Sequence, residues 1–345
     1  MPHPVLTAAI DQVASGRDLS ADETAAVLAT IMDGNAGQVQ IAAFLIALRT
    51  KQETEDELAG LARAMRTFAT PVSTAREDLL DVVGTGGGRR TFNVSTTAAL
   101  IAAGAGCTVA KHGNRSATSL SGAADVLEAL GARIDLSAEA VGCCLDETGF
   151  GFLFAPTHHP ATRYVVPVRA ELAVRTVFNL LGPLTNPAGA RRQLVGVADS
   201  AFLDRMAGAL KRLGTDRALL VSSEDGLDEM STSGVTRVVE VRGSQEQRSY
   251  RVSAADFGLA AARFEDVMGG SPAENAATTR AIFAGEHGAP RDLAVLNAGA
   301  AIYAAGRAAS IEAGVTAAQA AIDSGAAAGA LERYVEATHR LGAQA

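Results

Sequence analysis

The sequence predicts an α/β protein: a small all-helical N-terminal domain, then a larger α/β domain with a mostly parallel central sheet flanked by helices. Three observations carry that expectation. Over the first 70 residues the periodic segments have helical spacing only. Beyond Pro71, short apolar runs alternate with helix-like stretches, the rhythm of βα units. The C-terminal third is Ala-rich with helical patterning, broken by Gly299, Gly306, Gly314 and Gly325.

In chain order, Ser20-Ala-Asp-Glu23 has capping-box spacing: a hydroxyl for the third amide and a carboxylate to reach back. Ala25, Val27, Leu28 and Ile31 continue that helix until Gly34-Asn35 stops it. A second helix near Gln38 to Arg49 carries Val39, Ile41, Phe44, Leu45 and Leu48, apolar on most sides, so partners or another subunit should cover it. Thr54 to Glu57 is another capping box, opening a helix to about Phe68. Pro71 marks a domain boundary. Strands are expected at Leu79–Val83, Thr108–Ala110, Phe152–Phe154, Leu194–Val197, Ala218–Val221 and Val238–Val241. Helices are expected between them at Thr96–Ala105, Ser121–Leu130 and Ala201–Leu213, and Ser271-Pro-Ala-Glu274 starts a later one.

Composition removes several classes. With 48% hydrophobic and 20% charged residues, the chain can bury a sizeable core. The longest apolar run begins at Thr96 and ends at Lys111, short of a membrane span. The opening MPHPVLTAAIDQ has no signal-peptide pattern, and Cys107, Cys143 and Cys144 form no disulfide or zinc spacing, so a reduced, cytoplasmic protein is expected. A net charge of −8 speaks against nucleic-acid or membrane partners unless positive charge is gathered locally.

Positive charge is gathered in one region. Asp81-Val-Val-Gly84-Thr85-Gly86-Gly87-Gly88-Arg89-Arg90-Thr91-Phe92-Asn93-Val94-Ser95-Thr96 runs from a strand through four glycines and a polar set into an Ala-rich helix. Glycines bring backbone N–H groups close to an anion, and a helix start adds more, so this is a candidate phosphate or diphosphate site. It is neither a Walker loop nor a dinucleotide fingerprint, and a plain glycine turn remains its bland alternative. A second loop, Lys111-His112-Gly113-Asn114-Arg115-Ser116-Ala117-Thr118-Ser119, follows another strand and packs cations, an imidazole, an amide and hydroxyls together. Two such loops on one sheet favour a shared polyanion site over two solvated loops. Arg169 suits a carboxylate by geometry, although an ordinary surface arginine is the commoner case. Asp225, Asp228 and Glu229 after a strand suit Mg²⁺ or a solvated acidic loop. His158-His159 lacks metal spacing and reads as loop.

GTGG…TFNVST, KHGNRSATS, PVRAEL, RTVFNLLGPLTNP and DGLDE, in this order, resemble the anthranilate phosphoribosyltransferase family, over nearly the whole chain. The resemblance implies a homodimer whose subunit has a helical domain over residues 1–70, completed by a helical segment near 160–190, and a catalytic α/β domain over 71–345. It implies transfer of phosphoribosyl from phosphoribosyl diphosphate to the amine of anthranilate, with Mg²⁺ as cofactor. The donor site is then expected at Gly84, Gly87, Gly88, Thr91, Asn93, Val94, Ser95, Thr96, the loop Lys111, His112, Gly113, Asn114, Arg115, Ser116, Ala117, Thr118 and Ser119, and Ala123. The anthranilate contacts fall on Gly84, Asn114 and Arg169, and the magnesium ligands on Ser95, Asp228 and Glu229. No catalytic acid or base is expected. The family usually reads GTGGDG, whereas this chain has the shorter GTGGGRR without the Asp, so Arg89 or Arg90 is a candidate substitute anion contact. Ala123 stands where serine is common, which leaves only backbone contacts there. Alternatives are a related transferase with another aromatic acceptor, a pyrimidine nucleoside phosphorylase, whose second loop differs from Asn114-Arg115, and a non-catalytic nucleic-acid-binding relative.

Overall fold

A computed structural model of the chain describes residues 2–116 and 120–343. Four helices come first: α1 (Pro4–Ala14), α2 (Ala21–Met32), α3 (Gln38–Lys51) and α4 (Glu55–Thr67). Next come β1 (Leu79–Gly84), α5 (Val94–Gly104), β2 (Thr108–Gly113), α6 (Ala123–Ala129), α7 (Ala138–Thr148) and β3 (Phe150–Phe154). Short helices α8 (Ala155–His158), α9 (Val166–Leu172) and α10 (Phe178–Leu181) precede β4 (Arg192–Gly196), α11 (Leu203–Arg212), β5 (Arg217–Ser223), β6 (Thr236–Arg242) and β7 (Arg248–Val252). The chain closes with α12 (Pro272–Phe283), α13 (Ala289–Ala304), α14 (Ile311–Asp323) and α15 (Ala326–Gly342).

The local signals hold where side chains act on their own backbone. Ser20 and Thr54 each accept from the third helical amide while Glu23 and Glu57 reach back, and Ser271 with Glu274 does the same at α12. These reciprocal bonds satisfy orphan donors that the helix cannot pair itself.

The seven strands lie in the order β3-β2-β1-β4-β5-β6-β7. The first five are mutually parallel, and β6 and β7 close one edge antiparallel. β7 is an addition to the six expected strands: Arg-Ser-Tyr-Arg-Val on an exposed edge has no apolar alternation to announce it. The alternation of β5 explains the layering. Leu219 and Val221 join one core with α5, α7 and α12 to α15; Ala218 and Leu220 join the other with α1 to α4, α9, α10 and α11. The N-terminal helices therefore share a continuous core with one face of the sheet, through residues such as Val165, Val168, Phe178 and Leu181.

Gly299 and Gly314 do not break helices. They lie inside α13 and α14 where the two cross, and a Cβ on Gly314 would overlap the Gly299 carbonyl. Gly306 and Gly325, with φ of 76° and 75°, are the true turns.

Chain order reverses at β1: β2 and β3 build outward on one side, then β4 and β5 on the other. In an open parallel sheet the crevice at such a reversal, beyond the strands' carboxyl ends, is the place for a ligand.

Candidate active site

Gly84 and Gly196 face each other in register at the ends of β1 and β4, at that reversal. The loop after β5 crosses here and brings Asp228 against both glycines; a Cβ on Gly84 would lie 3.0 Å from Asp228 Oδ2. Gly88 takes Asp228 Oδ1 and the Gly226 carbonyl so closely that a side chain cannot fit. Gly87, at φ 89°, holds the Arg175 guanidinium where a Cβ would stand. Arg175 also donates to the Thr85 carbonyl at 3.1 Å.

Asp228 and Glu229 are poor places for two negative charges. Burial raises both carboxyls above their ordinary range, Glu229 well above, with the Asp228 charge adding to its shift. The N–H groups of Asp228 and Gly86 and the charge of Arg175 oppose this for Asp228. Glu229 Oε2 is buried without any hydrogen-bond partner. An orphaned carboxylate oxygen beside a second carboxylate fits a cation. Among the described residues no group of three or more His, Cys, Asp or Glu could hold a metal. Two neighbouring carboxylates could supply part of an oxygen set of the kind Mg²⁺ takes, with water or substrate oxygens completing it.

Lys111 lies beneath this point, 1% exposed, its Nζ donating to the Val82 carbonyl at 2.5 Å and standing 3.5 Å from Ser95 Oγ. Burial lowers its pKa to about 8 against the pull of Asp81 and Glu229. Asp81, fully buried in β1, accepts from the His112 N–H at 3.0 Å and from Asn186 Nδ2 at 2.8 Å, and Asn186 Nδ2 also donates to the Ala110 carbonyl. A charge inside the apolar run Leu-Leu-Asp-Val-Val was the sequence signal for this brace.

α5 begins at Val94, slightly earlier than expected, with Asn93 as its cap residue but no side-chain capping bond. The Asn93 side chain is turned outward instead: it donates to the Ser121 carbonyl and accepts from Ser121 Oγ and Asn275 Nδ2, both at 2.8 Å. That ties the first loop to the end of the second and to α12. Ser95 and Thr96 sit in the first turn of α5; Thr96 Oγ1 is buried without a partner. Thr91 bridges to Met268.

In the second loop, Gly113 ends β2 against Phe152 and Ala123, the first residue of α6. Asn114 Oδ1 accepts from the Arg115 N–H at 2.7 Å. The Arg115 guanidinium is engaged by Asp125 and Glu128 of α6, at 2.8 and 2.5 Å, so its charge is partly spent on its own helix. Ser116 donates its N–H to Asp125. Ala117, Thr118 and Ser119 lie outside the described residues.

Arg169 stands half-buried on α9, its guanidinium 5.4 Å from the Phe178 ring centroid. Burial, and then the charge of Arg175, lower its pKa. Direct contacts thus join Gly84 and Gly88 to Asp228, Gly87 to Arg175, and Lys111 to Ser95, while Lys111 feels the charge of Glu229 and Arg169 that of Arg175. Arg175 and Gly196 were missed as site residues, because their roles depend on partners far along the chain, Gly87 for Arg175 and Asp228 for Gly196.

His158 closes the short α8, and His159 follows it outside any helix or strand, as the loop reading had it. Both are buried, and the His159 ring lies 5.1 Å from that of His112. Burial pushes the His112 pKa down to about 3 and that of His159 to about 4, so both are neutral imidazoles. The Arg89 guanidinium is stacked 3.5 Å from the Phe264 ring centroid.

The model of the glycosyl transferase family's a/b domain matches residues 76–328, and that of its helical bundle domain matches residues 7–69. An anthranilate phosphoribosyltransferase of Rubrobacter xylanophilus is 53% identical over 339 residues, 98% of each chain. One of Roseiflexus sp. is 52% identical, over 94% of this chain and 96% of that one. Among solved structures, anthranilate phosphoribosyltransferase from Thermus thermophilus superposes with a TM-score of 0.91 at 46% identity, covering 96% of this chain and 99% of that one. The Saccharomyces cerevisiae enzyme, solved in complex with PRPP and Mg, gives 0.89 at 27% identity, over 97% and 98%. The chain belongs to the anthranilate phosphoribosyltransferases of the glycosyl transferase family.

Proposed function

We propose that the crevice at the β1–β4 reversal is where this chain transfers phosphoribosyl from phosphoribosyl diphosphate to the amine of anthranilate, giving N-(5-phosphoribosyl)anthranilate and diphosphate. One observation carries the reading: the glycine loop, the buried Lys111 and the Asp228–Glu229 pair meet at one point.

The C1–O bond to diphosphate breaks and takes its electron pair to the leaving oxygen, the amine lone pair forms the new C1–N bond, and the proton that the nitrogen then carries is released to the diphosphate or to water. The residues of this chain bind and orient. The loop Gly84 to Gly88 and the start of α5 present backbone N–H groups to the diphosphate and ribose. The positive charge of Lys111, beneath Ser95, offsets charge growing on the leaving group. Asn93 fixes the spacing between the two loops. Arg169 orients the anthranilate carboxylate, with Asn114 at the loop tip. Ser95, Asp228 and Glu229 would hold Mg²⁺, which when bound neutralises diphosphate charge. His112 and His159, neutral and weakly basic near pH 7, provide no strong general base, in keeping with a neutral aromatic amine that attacks without one.

Residues 1–70 with the helices of 160–190 form the helical domain in this reading, and they deliver Arg169. A homodimer is supported by the outer stripe of α3, where Val39 is 84% and Ile46 36% exposed, next to Val166 of α9 at 52%.

The test is loss of anthranilate fluorescence on mixing protein, anthranilate, phosphoribosyl diphosphate and Mg²⁺. Loss that requires all of them is expected; loss without the donor, or none with it, overturns the reading. Arg169→Ala should raise the anthranilate KM at least tenfold (roughly the loss of a paired charge-assisted bond) and leave the donor KM little changed. Equal effects on both would remove Arg169 from the acceptor site.

A further inference from the structure

The glycine loop is held from two sides, and Arg89 stands where the two holds cross. On one side its N–H donates to the Gly226 carbonyl at 2.9 Å, and its Nη1 lies 3.4 Å from the Asp225 carbonyl. That ties it to the turn carrying Asp228 and Glu229. On the other side its guanidinium covers Phe264 at 3.5 Å. Phe264 opens a segment that runs along the loop: Phe92 donates to the Val267 carbonyl, Thr91 bridges to Met268, and Gly269 abuts the Thr91 carbonyl. The segment then reaches Asn275, which bonds both the Gly270 N–H and Asn93.

We propose that Arg89 is a positioning residue which locks the glycine loop to the acidic 225–229 turn and to the 264–270 segment, so that the diphosphate-binding backbone and the magnesium carboxylates form one preorganised unit. The proposal rests on the phosphoribosyl-transfer reading and adds to it how this chain's short GTGGGRR loop holds its shape. A four-glycine loop has high conformational freedom, which binding must remove. A guanidinium held between the Asp225 carbonyl and the Phe264 face, on a residue whose own N–H bonds Gly226, removes it beforehand. Because the same residue grips both the loop and the metal turn, donor and Mg²⁺ affinity should move together.

The experiment is calorimetric titration of the intact chain with phosphoribosyl diphosphate at a series of Mg²⁺ concentrations, with steady-state KM values beside it. Arg89→Ala should weaken donor binding about tenfold, the scale of losing a stacked and hydrogen-bonded guanidinium. It should raise the Mg²⁺ concentration for half-maximal donor binding in step, and leave the anthranilate KM unchanged. Arg89→Lys should recover part of the loss, since an ammonium still meets the ring face but lacks the fork. Phe264→Leu keeps apolar bulk, so it guards against a variant that fails to fold, and should reproduce the coupled loss. The double variant should be no worse than Arg89→Ala. Unchanged donor binding in Arg89→Ala overturns the proposal. So does a loss in Arg89→Ala that Phe264→Leu lacks and to which it adds independently, which would make Arg89 a direct anion contact. Absence of donor binding by the wild-type chain removes the functional reading itself, and this inference with it.

Discussion

Asp81 holds two segments together from a place where a charge is costly. It is fully buried, it fixes the His112 backbone and Asn186, and burial raises its pKa from 3.8 to about 6, with Asn186 and Lys111 limiting the rise. An unfolded chain releases this proton near pH 4, the folded chain near pH 6. Between those values the folded state binds the extra proton, so the Asp81 contribution to stability falls as pH rises from 4 to 6 and is flat above. Its size is on the order of 3 kcal/mol. Asp81→Asn keeps an acceptor for His112 and has no titration. The difference in unfolding free energy between wild type and variant, from urea midpoints across pH 4 to 7, should therefore shrink by that amount; a constant difference would show that Asp81 does not titrate in this window. At this scale the sequence was informative wherever chemistry sits within one loop. The glycine run, Lys111 and the Asp228–Glu229 pair were all readable. Arg175 in the hollow of Gly87, Phe264 under Arg89, and the buried His158 and His159 were not, since each depends on segments brought together only by the folded chain.

Capping explains why the helix starts were legible at the scale of elements: the partners are three residues apart, so sequence and geometry are nearly the same thing. Glycines inside helices were misleading for the opposite reason. Gly314 in α14 costs about 1 kcal/mol of helix propensity relative to Ala. It is there because α13 crosses so closely that a methyl would meet the Gly299 carbonyl. Relieving that overlap means separating two helices in the main core, about 1–3 kcal/mol, so the packing loss outweighs the propensity gain. Gly314→Ala should lower the melting temperature. Gly329 in α15 is the control: its added methyl would face only the Arg333 Nη1 tip at 3.1 Å, which can swing away. Gly329→Ala should leave the melting temperature unchanged or raise it. If both variants shift the same way, the crossing does not require glycine.

The whole molecule places its site through strand order, which no single segment of sequence encodes. Alternating apolar runs and helical patterns announce a parallel sheet, but which strands flank β1 is settled by how two cores divide the helices between faces. Once divided, the N-terminal bundle is anchored to the sheet by the helices of 160–184, and α3 is left with an inner face sealed by Ile41, Phe44, Leu45 and Leu48 and an outer stripe through Val39 and Ile46, seven residues apart. A low-polarity stripe at helical spacing, continued by Val166 on α9, is what a second copy would cover. The residues assigned to donor, acceptor and Mg²⁺ all lie on elements other than α3, with Arg169 on α9. A charge placed on the stripe should therefore separate the subunits without touching the chemistry. Val39→Asp should sediment as a monomer at concentrations where the wild type sediments as a dimer, because burying an unpaired carboxylate costs several kcal/mol, more than a modest interface can absorb. Turnover per subunit should persist. A variant that remains dimeric would place the interface elsewhere, and one that turns monomeric and inactive while still folded would mean that the partner subunit completes the site.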